Sequence, residues 1–182
     1  MSDSGAAPSG FRISTSRLIL VGADDSLLRA DLAGREALAA ACGAAVPSNW
    51  PPEHHDQGVI EWLLASLESI RAGQPWRFYY MVLIEPRTLI GTCGIKQAPS
   101  QDGCVEIGYS VLEQFRRRGL ATEAAMALID AAFAAGASEV AAETYPALLA
   151  SIRVMQKCGM VATGEGSEPR TLRYSLRRGR EG

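Results

Sequence analysis

Cysteine and histidine are scarce in this sequence, and their spacing excludes two common kinds of site. The 182 residues include four cysteines, none of which forms a CxxC pair, and two histidines, which are adjacent at His54 and His55. A chain of this length folds without disulfides, so we expect reduced thiols and a cytoplasmic location. Adjacent histidines in a proline-bounded loop lack the spacing of zinc ligands, so we expect no metal.

Long apolar runs and a surplus of positive charge are also missing from the sequence. No apolar run approaches the roughly 20 residues that are needed to cross a bilayer. Residues 1–10 are small and polar, without the apolar core of a signal peptide. The formal net charge is -2, so no overall field attracts nucleic acid or an anionic membrane. The sequence therefore predicts neither kind of partner.

The composition is that of one folded domain. Hydrophobic residues make up 47% of the chain and charged residues 21%, which is ordinary for a globular protein. We expect disorder over residues 1–10, one domain over residues 11–178 and a short tail over residues 179–182. Hydrophobic periodicity and Gly or Pro breaks predict strands at 12–21, 77–84, 88–96, 104–112, 139–145 and 171–176, and helices at 24–42, 57–72, 120–135 and 147–158. This order indicates an α/β (α+β) domain in which an antiparallel meander leads into a β-α-β unit.

Three consecutive arginines stand directly in front of an alanine-rich helical pattern, where residues 115–123 read F-R-R-R-G-L-A-T-E. Cations destabilise a helix N-terminus, because that end carries partial positive charge. The conflict disappears if an anion lies between the arginines and the free N–H groups of the first helical turn. Gly119 permits a positive φ and a close approach of the backbone to a ligand. The segment therefore predicts a phosphate-binding turn, with a basic strand-to-helix turn that binds nothing as the alternative.

Four blocks of sequence follow one another in the order T-S-R-L-I-L at 15–20, E-I-G-Y at 106–109, R-R-R-G-L-A-T-E-A at 116–124 and the segment 146–160. With these blocks the chain resembles the GNAT superfamily of acyl-CoA-dependent N-acyltransferases, above all its ribosomal-protein N-terminal acetyltransferase branch. The resemblance implies a single-domain GNAT-like fold, with a mixed, mostly antiparallel sheet of about six or seven strands flanked by about four helices. It also implies acetyl-CoA as the donor and a monomer or homodimer.

The resemblance implies positions for each part of acetyl-CoA. The pyrophosphate would bind the turn formed by Arg116, Arg117, Arg118, Gly119, Leu120, Ala121 and Thr122. The pantetheine arm would run along the backbone of Ser110, Val111 and Leu112 as an added strand. Ser151 would contact the cofactor from the last helix.

Acetyl transfer to an amine requires a base for the amine and a proton for the leaving thiolate. The resemblance makes Glu106 the best candidate base. The alternative is that Glu106 is a strand-end carboxylate that faces solvent or pairs with an arginine, which would look the same in the sequence. Glu143 is a weaker candidate base, for which a structural role is favoured. Tyr109 is a weak candidate proton donor, because a tyrosine at such a strand position is more commonly an aromatic residue of the core or of the sheet face. Tyr145 is a further candidate donor.

The last helix departs from the family pattern at two positions. Leu148 replaces the asparagine that commonly contacts the cofactor, and Met155 stands where many relatives carry the tyrosine that protonates the thiolate. Two interpretations remain open. Another group or water protonates the thiolate, or the domain is a non-catalytic acyl-CoA-binding or protein-interaction module.

The acceptor site is the least defined part of the sequence. By resemblance it lies near the loop 46–56, the strand 76–80 and the turn 164–169. Trp50, Trp76 and Tyr80 are candidate walls of the acceptor pocket, with Phe78 beside them, and each of these aromatics is commoner in a core. A peptide N-terminus and a small amine are the acceptor classes that the resemblance implies.

Overall fold

The computed structural model describes residues 11–67, 75, 77–96 and 99–179. Its sheet has eight strands in the spatial order β1-β2-β3-β4-β5-β6-β8-β7. The strands are β1 (Arg12–Ser14), β2 (Leu18–Gly22), β3 (Phe78–Leu83), β4 (Thr88–Ile95), β5 (Cys104–Val111), β6 (Glu139–Thr144), β7 (Val161–Glu165) and β8 (Leu172–Arg177). The helices are α1 (Asp25–Ala33), α2 (Arg35–Cys42), α3 (Gln57–Ser66), α4 (Leu120–Ala134) and α5 (Leu149–Lys157).

One parallel pairing divides an otherwise antiparallel sheet. Strands β1 to β5 form an antiparallel meander, and β6, β8 and β7 form a second antiparallel group. The two groups are joined by the parallel pairing of β5 with β6. The chain makes that crossover through α4, as expected of the β-α-β unit in the sequence. The predicted mixed, mostly antiparallel sheet is therefore confirmed.

The sheet carries a separate hydrophobic cluster on each face, because successive strand side chains point to opposite sides. Buried residues such as Met81, Ile107 and Val140 pack with the apolar side of α4 on one face. Tyr80 and Val82 pack with α1, α2 and α3 on the other face. The sheet therefore has helices on both faces, and the β5–β6 pairing is the junction between its two antiparallel groups.

The first predicted strand and the first predicted helix are each divided in two. The expected strand over 12–21 is a hairpin of β1 and β2, because Thr15 turns the chain and donates its hydroxyl and N–H to the carbonyl of Leu18. The expected helix over 24–42 ends at Gly34, whose φ of 119° is outside the helical region, and restarts as α2. Asp24 caps α1 through the N–H of Leu27, and Gly43 ends α2 in the left-handed conformation.

The expected numbers of strands and helices were slightly low. The described chain contains eight strands and five helices, where six or seven and four were predicted. The divided first strand and first helix account for part of this difference. The rest is β7, a fully exposed edge strand without the burial that produces an alternating pattern. The predicted helix over 57–72 is present as α3 up to Ser66, and positions 68–72 of the prediction lie outside the described residues.

Candidate functional site

Strand β5 separates from β6 halfway along its length. Pairing between the two strands runs only from Cys104 with Glu139 to Glu106 with Ala141. Beyond that point β6 continues beside β8 to Thr144, and β5 continues beside β4 to Val111. Among the described strands, none pairs with the β6-facing side of β5 from Ile107 onward. An extended ligand can add to such an open edge by main-chain hydrogen bonds.

The N-terminus of α4 lies shortly after the end of β5 and has no side-chain cap. A short 3-10 helix, Glu113–Phe115, connects the two elements. Gly119 begins α4 in the left-handed conformation with a φ of 77°, and Arg117 also has a positive φ, of 61°. The first N–H groups of an α-helix have no partner within the helix. Together with the helix dipole, such N–H groups are able to bind an anion directly behind the arginine turn.

The three arginines of this turn have different contacts. Arg116 donates from Nε to the carbonyl of Val111 at 2.8 Å, and its Nη2 lies 3.1 Å from Oε2 of Glu53. The guanidinium of Arg118 lies 5.8 Å from the ring centre of Phe115. Arg117 is exposed. The predicted phosphate residues are thus together at one helix end, and Arg116 is the one already paired with a carboxylate.

Glu123 ties the first turn of α4 to the β1–β2 turn. Its Oε1 accepts hydrogen bonds from the hydroxyls of Thr15 and Ser16 and from the N–H of Arg17, at 2.6, 3.0 and 2.8 Å. Its Oε2 pairs with the Arg17 guanidinium, which also donates to the carbonyl of Arg118 at 3.0 Å. Partial burial raises the pKa of Glu123, but these hydrogen bonds outweigh it and hold the pKa below its ordinary value. Sequence reasoning gave Glu123 no such role.

Glu106 lies at the point where β5 leaves β6. Its Oε1 forms an ion pair with Nζ of Lys96, and 21% of its side chain is exposed. The backbone of the same two residues is joined by a hydrogen bond from the N–H of Lys96 to the carbonyl of Glu106. A carboxylate at the start of an open strand edge can accept a proton from a group that binds there. The predicted base and the predicted phosphate turn therefore lie at the two ends of the same open segment of β5.

Glu143, the second predicted carboxylate, is fully engaged in structural contacts. Its Oε1 pairs with Nη1 of Arg173 at 3.0 Å. Its Oε2 accepts the N–H and the hydroxyl of Ser167, at 2.7 and 2.9 Å. Burial raises the pKa of Glu143, but the Ser167 and Arg173 hydrogen bonds prevail and lower the pKa below its ordinary value. These contacts favour the structural role that the sequence indicated for Glu143.

Tyr109 lies on the opposite face of the sheet from Glu106, because it is an odd number of residues away on the same strand. Its hydroxyl donates to the backbone carbonyl of Ser151 in α5 at 3.2 Å. Burial raises the pKa of the Tyr109 hydroxyl. The structure therefore brings Tyr109 and Ser151 together, but as a strand-to-helix contact.

The two residues that depart from the family pattern differ in environment. Met155 is 2% exposed and belongs to the core under α4 and α5. Leu148 precedes α5 and is 47% exposed, next to the exposed Leu149. Tyr145 is also exposed, and its hydroxyl lies 3.3 Å from Oε2 of Glu168. One of the two departures from the family pattern is therefore in the core, and the other is at the surface.

Two of the three predicted acceptor walls meet around a buried carboxylate that sequence reasoning missed. Asp31 accepts hydrogen bonds from Nε1 of Trp50 at 2.8 Å and from the hydroxyl of Tyr80 at 2.8 Å, and Nε2 of His55 lies 2.6 Å from it. His55 stacks on Phe78 with ring centres 5.2 Å apart. The third wall, Trp76, lies outside the described residues.

A sequence signal for Asp31 did exist. Asp31 follows the buried Leu27 and Leu28 by four and three residues on a predicted helix, so it lies on the apolar side. Burial raises the pKa of Asp31, but hydrogen bonds from His55, Trp50 and Tyr80 prevail and hold the pKa below its ordinary value. An ionised, buried carboxylate at this position fixes three aromatic rings at once.

The loop that carries Trp50 and His55 also contacts the arginine turn. The amides of Asn49 and Gln114 exchange two hydrogen bonds, of 2.7 and 2.8 Å. Glu53 adds the ion pair with Arg116. One loop thus connects the aromatic cluster around Asp31 to the helix end that is suited to an anion.

Metal and membrane sites receive no support from the described part of the chain. Within residues 11–67, 75, 77–96 and 99–179, no group of three or more His, Cys, Asp or Glu side chains is placed to hold a metal ion. Over the same residues, no helix combines the length and apolar character required to span a membrane.

Comparison with known proteins adds an independent line of evidence. The family model described as an acetyltransferase (GNAT) domain matches residues 17–161. No curated protein sequence matches the chain. Among solved structures, ribosomal-protein-S5-alanine acetyltransferase from Vibrio fischeri is 16% identical, with a TM-score of 0.65 over 92% of this chain and 96% of its own.

Two further solved structures contain a cofactor. The ribosomal L7/L12 alpha-N-protein acetyltransferase RimL, solved with coenzyme A, is 16% identical, with a TM-score of 0.65 over 92% of this chain and 98% of its own. The microcin C7 self-immunity acetyltransferase MccE, solved with acetyl-CoA and AMP, is 15% identical, with a TM-score of 0.63 over 97% of this chain and 100% of its own. At such identity these structures show a shared fold. Because the family model covers most of the chain, the chain belongs to the GNAT acetyltransferase family.

Proposed function

We propose that this protein transfers the acetyl group of acetyl-CoA to a primary amine, either a peptide N-terminus or a small molecule. The observation that carries the proposal is the open edge of β5, which runs from Glu106 to an uncapped α4 N-terminus behind three arginines. An anionic group fits the helix end, and an extended amide-containing arm fits the strand edge. Acetyl-CoA contains both, joined in the same order.

Each part of the donor has a matching segment of the chain. The pyrophosphate would accept hydrogen bonds from the N–H groups at Gly119, Leu120, Ala121 and Thr122, with Arg117 and Arg118 beside them. The pantetheine arm would pair with the backbone from Ser110 to Leu112. Arg116 would join the phosphate contacts on leaving Glu53. The arm would thus direct its thioester toward Glu106.

The chemistry then needs two protons removed from the acceptor ammonium and one supplied to the leaving thiolate. Glu106 would accept the first proton from the ammonium, directly or through water, and the free amine would attack the thioester carbonyl. The new C–N bond would form as the C–S bond breaks, the nitrogen would release its second proton to water, and the CoA thiolate would take up a proton. The hydroxyls of Tyr109 and Tyr145 already donate to Ser151 and Glu168, and Met155 has no proton to give, so water is the proton source that fits these contacts best.

A second function remains supported by a specific observation. Leu148 and Leu149 expose apolar surface where the resemblance places a polar cofactor contact. That surface favours a module that binds acyl-CoA without turnover. This second function predicts tight CoA binding with no acetyl transfer to any amine.

Two measurements test the proposal. Calorimetry should detect CoA binding, and thiol release from acetyl-CoA in the presence of an amine library should detect turnover. Gly119→Glu should abolish CoA binding while the fold survives, because it adds a negative side chain at the anion site. Unchanged CoA affinity in a folded Gly119→Glu variant would refute the phosphate assignment. Binding without turnover on any amine would select the non-catalytic alternative.

A further inference from the structure

The described strands contain five glycines, and four of them have a local structural reason. A Cβ on Gly22 would lie 2.8 Å from the Phe11 carbonyl oxygen, and one on Gly91 would lie 2.2 Å from that of Ser110. A Cβ on Gly94 would lie 2.9 Å from the Arg77 carbonyl oxygen. Gly164 has a φ of 136°, which disfavours any other residue.

Neither a close contact nor a positive φ explains the glycine at position 108. Among the residues that the structure describes, a Cβ at this position would meet no atom within 4 Å outside its two chain neighbours, and its φ is not in the left-handed region. The pairing of β4 with β5 continues through Gly94 and Gly108 without a register shift, so no bulge is present. Glycine weakens a strand interior, and where neither a bulge nor a bend is present it marks the close approach of a ligand or another backbone.

The empty space at Gly108 lies beside the proposed base. Gly108 is two residues from Glu106 on the same strand, so both face the same side of the sheet. Gly94 stands opposite Gly108 on β4, and Phe78 stands opposite Gly94 on β3. Two adjacent strands therefore carry no side chain here, and the bare strip ends at Phe78, whose ring is stacked on His55.

On its other side, Gly108 borders the open part of β5. Pairing with β6 ends at Glu106, so no described strand covers that side. A group that approaches Glu106 over this face meets backbone at positions 94 and 108 and aromatic rings at Phe78 and His55. Among the described residues, the strip thus leaves this face open to a substituent attached next to a reacting amine.

We propose that Gly108 is a specificity-determining residue that keeps room for the group on the carbon next to the acceptor amine. This inference rests on the proposed acetyl transfer and names its acceptor class as α-substituted primary amines, such as the N-terminal residue of a peptide. Side chains added at position 108 would occupy the space that this substituent needs. The CoA contacts, which lie from Ser110 onward, would remain.

The test compares three acceptors that share one reacting group. Glycinamide, alaninamide and phenylalaninamide have the same α-amine and increasing side-chain size. Wild-type protein, Gly108→Ala and Gly108→Val are assayed with each amide, and CoA affinity and Tm are measured for all three proteins. Ala162→Val, on the exposed strand β7, is the control for added bulk in a strand.

The expected result is a selective loss for the large acceptor. Gly108→Val should lower kcat/KM for phenylalaninamide by about tenfold or more relative to glycinamide, since small volume changes in a pocket have effects of this order. Gly108→Ala should give a smaller loss in the same direction. CoA affinity and Tm should stay at wild-type values in both variants, as they should in Ala162→Val.

Three outcomes would overturn the inference. An unchanged ratio between the amides in Gly108→Val would show that the strip does not receive the acceptor substituent. Weakened CoA binding by the same variant would assign the space to the donor. Failure of wild-type protein to acetylate any of the three amides would exclude α-amines as acceptors, whereas the amine library decides separately whether acetyl transfer occurs at all.

Discussion

Glu53 and Arg116 form an ion pair with a nitrogen–oxygen distance of 3.1 Å, although 63 residues separate them along the chain. Arg116 belongs to the turn suited to an anion, and Glu53 belongs to the loop that carries Trp50. The carboxylate therefore occupies a guanidinium edge that a pyrophosphate would also use. Binding of CoA should exchange one anionic partner of Arg116 for another and loosen one contact of the loop.

Replacing Glu53 should therefore strengthen CoA binding. Glu53→Gln removes the competing charge, and we expect CoA affinity to rise about two- to fivefold, since exposed ion pairs contribute little each. The gain should be largest at low salt, where surface charges are least screened. Calorimetric titration with CoA at two salt concentrations measures it.

The matched control is Glu85→Gln, which removes the same charge from the exposed turn between β3 and β4. It should leave CoA affinity unchanged. Equal or weaker CoA binding by Glu53→Gln would show that Glu53 does not compete with the pyrophosphate.

The elements that the sequence predicted well are those whose signals are local. The apolar periodicity and the preceding glycine predicted α4, and the β-rich pattern of 104–112 predicted β5, the strand on which Glu106 lies. The hairpin of β1 and β2 was missed because Ser14, Thr15 and Ser16 fit the alternation of one strand, whereas the turn depends on the hydroxyl and N–H of Thr15, which donate to the carbonyl of Leu18.

The parts of the site that the sequence did not predict depend on distant contacts. Glu123 meets Arg17 across 106 positions, and Asp31 meets Tyr80 across 49. A carboxylate has the same local pattern whether it is solvated, pairs with a cation or fixes an aromatic wall. Partner identity at such separations is decided by the packing of the sheet, which a single sequence does not reveal.

The Glu123 contacts should stabilise the protein in a pH-dependent way. The folded-state pKa of Glu123 lies below its ordinary value, so its contribution is fully present above the unfolded-state pKa of about 4.3. The contribution is lost as pH falls through the folded-state pKa. Glu123→Gln should cost about 1–3 kcal/mol at pH 7, as loss of charged hydrogen bonds does.

Thermal unfolding of wild-type protein and Glu123→Gln between pH 7 and pH 3 tests this expectation. The difference in Tm should be constant near neutrality and should shrink below the ordinary pKa of glutamate. A difference that stays constant down to pH 3 would exclude the ionised carboxylate as its source. Glu36→Gln, at an exposed position of α2, serves as the control.

Asp31 should be essential for stability and for the shape of the aromatic cluster. Its side chain is 5% exposed and that of His55 is 1% exposed, so removing the carboxylate takes the acceptor from the buried His55 and Tyr80 and from the partly buried Trp50. Asp31→Ala should cost about 3–5 kcal/mol, in the range for breaking a buried pair. Denaturant unfolding followed by tryptophan fluorescence measures the change, because Trp50 itself contacts Asp31.

Asp25→Ala is the matched control on the same helix, since Asp25 forms an exposed pair with Arg29. It should change stability little by comparison. If Asp31→Ala were as stable as Asp25→Ala, the three contacts to Asp31 would carry no net stabilisation.

Substitution by Gln should impair catalysis at Glu106 and thermal stability at Glu143. Glu106→Gln removes the proposed base, so it should lower kcat by about 10²–10⁴ with little change in CoA affinity or Tm. The loss should be greatest below the pKa of the acceptor amine, where the amine arrives protonated and a base is required. Glu143→Gln should instead lower Tm, because both oxygens of Glu143 stabilise the contact with Arg173 and Ser167.

Steady-state rates from pH 6 to pH 9, with CoA affinity and Tm of both variants, separate these roles. Glu106→Gln with wild-type rates across that range would remove Glu106 from the mechanism. A large fall in kcat in Glu143→Gln at unchanged Tm would transfer the role of base to Glu143. Because the two carboxylates lie on neighbouring strands on either side of the β5–β6 separation, each variant is the control for charge loss in the other.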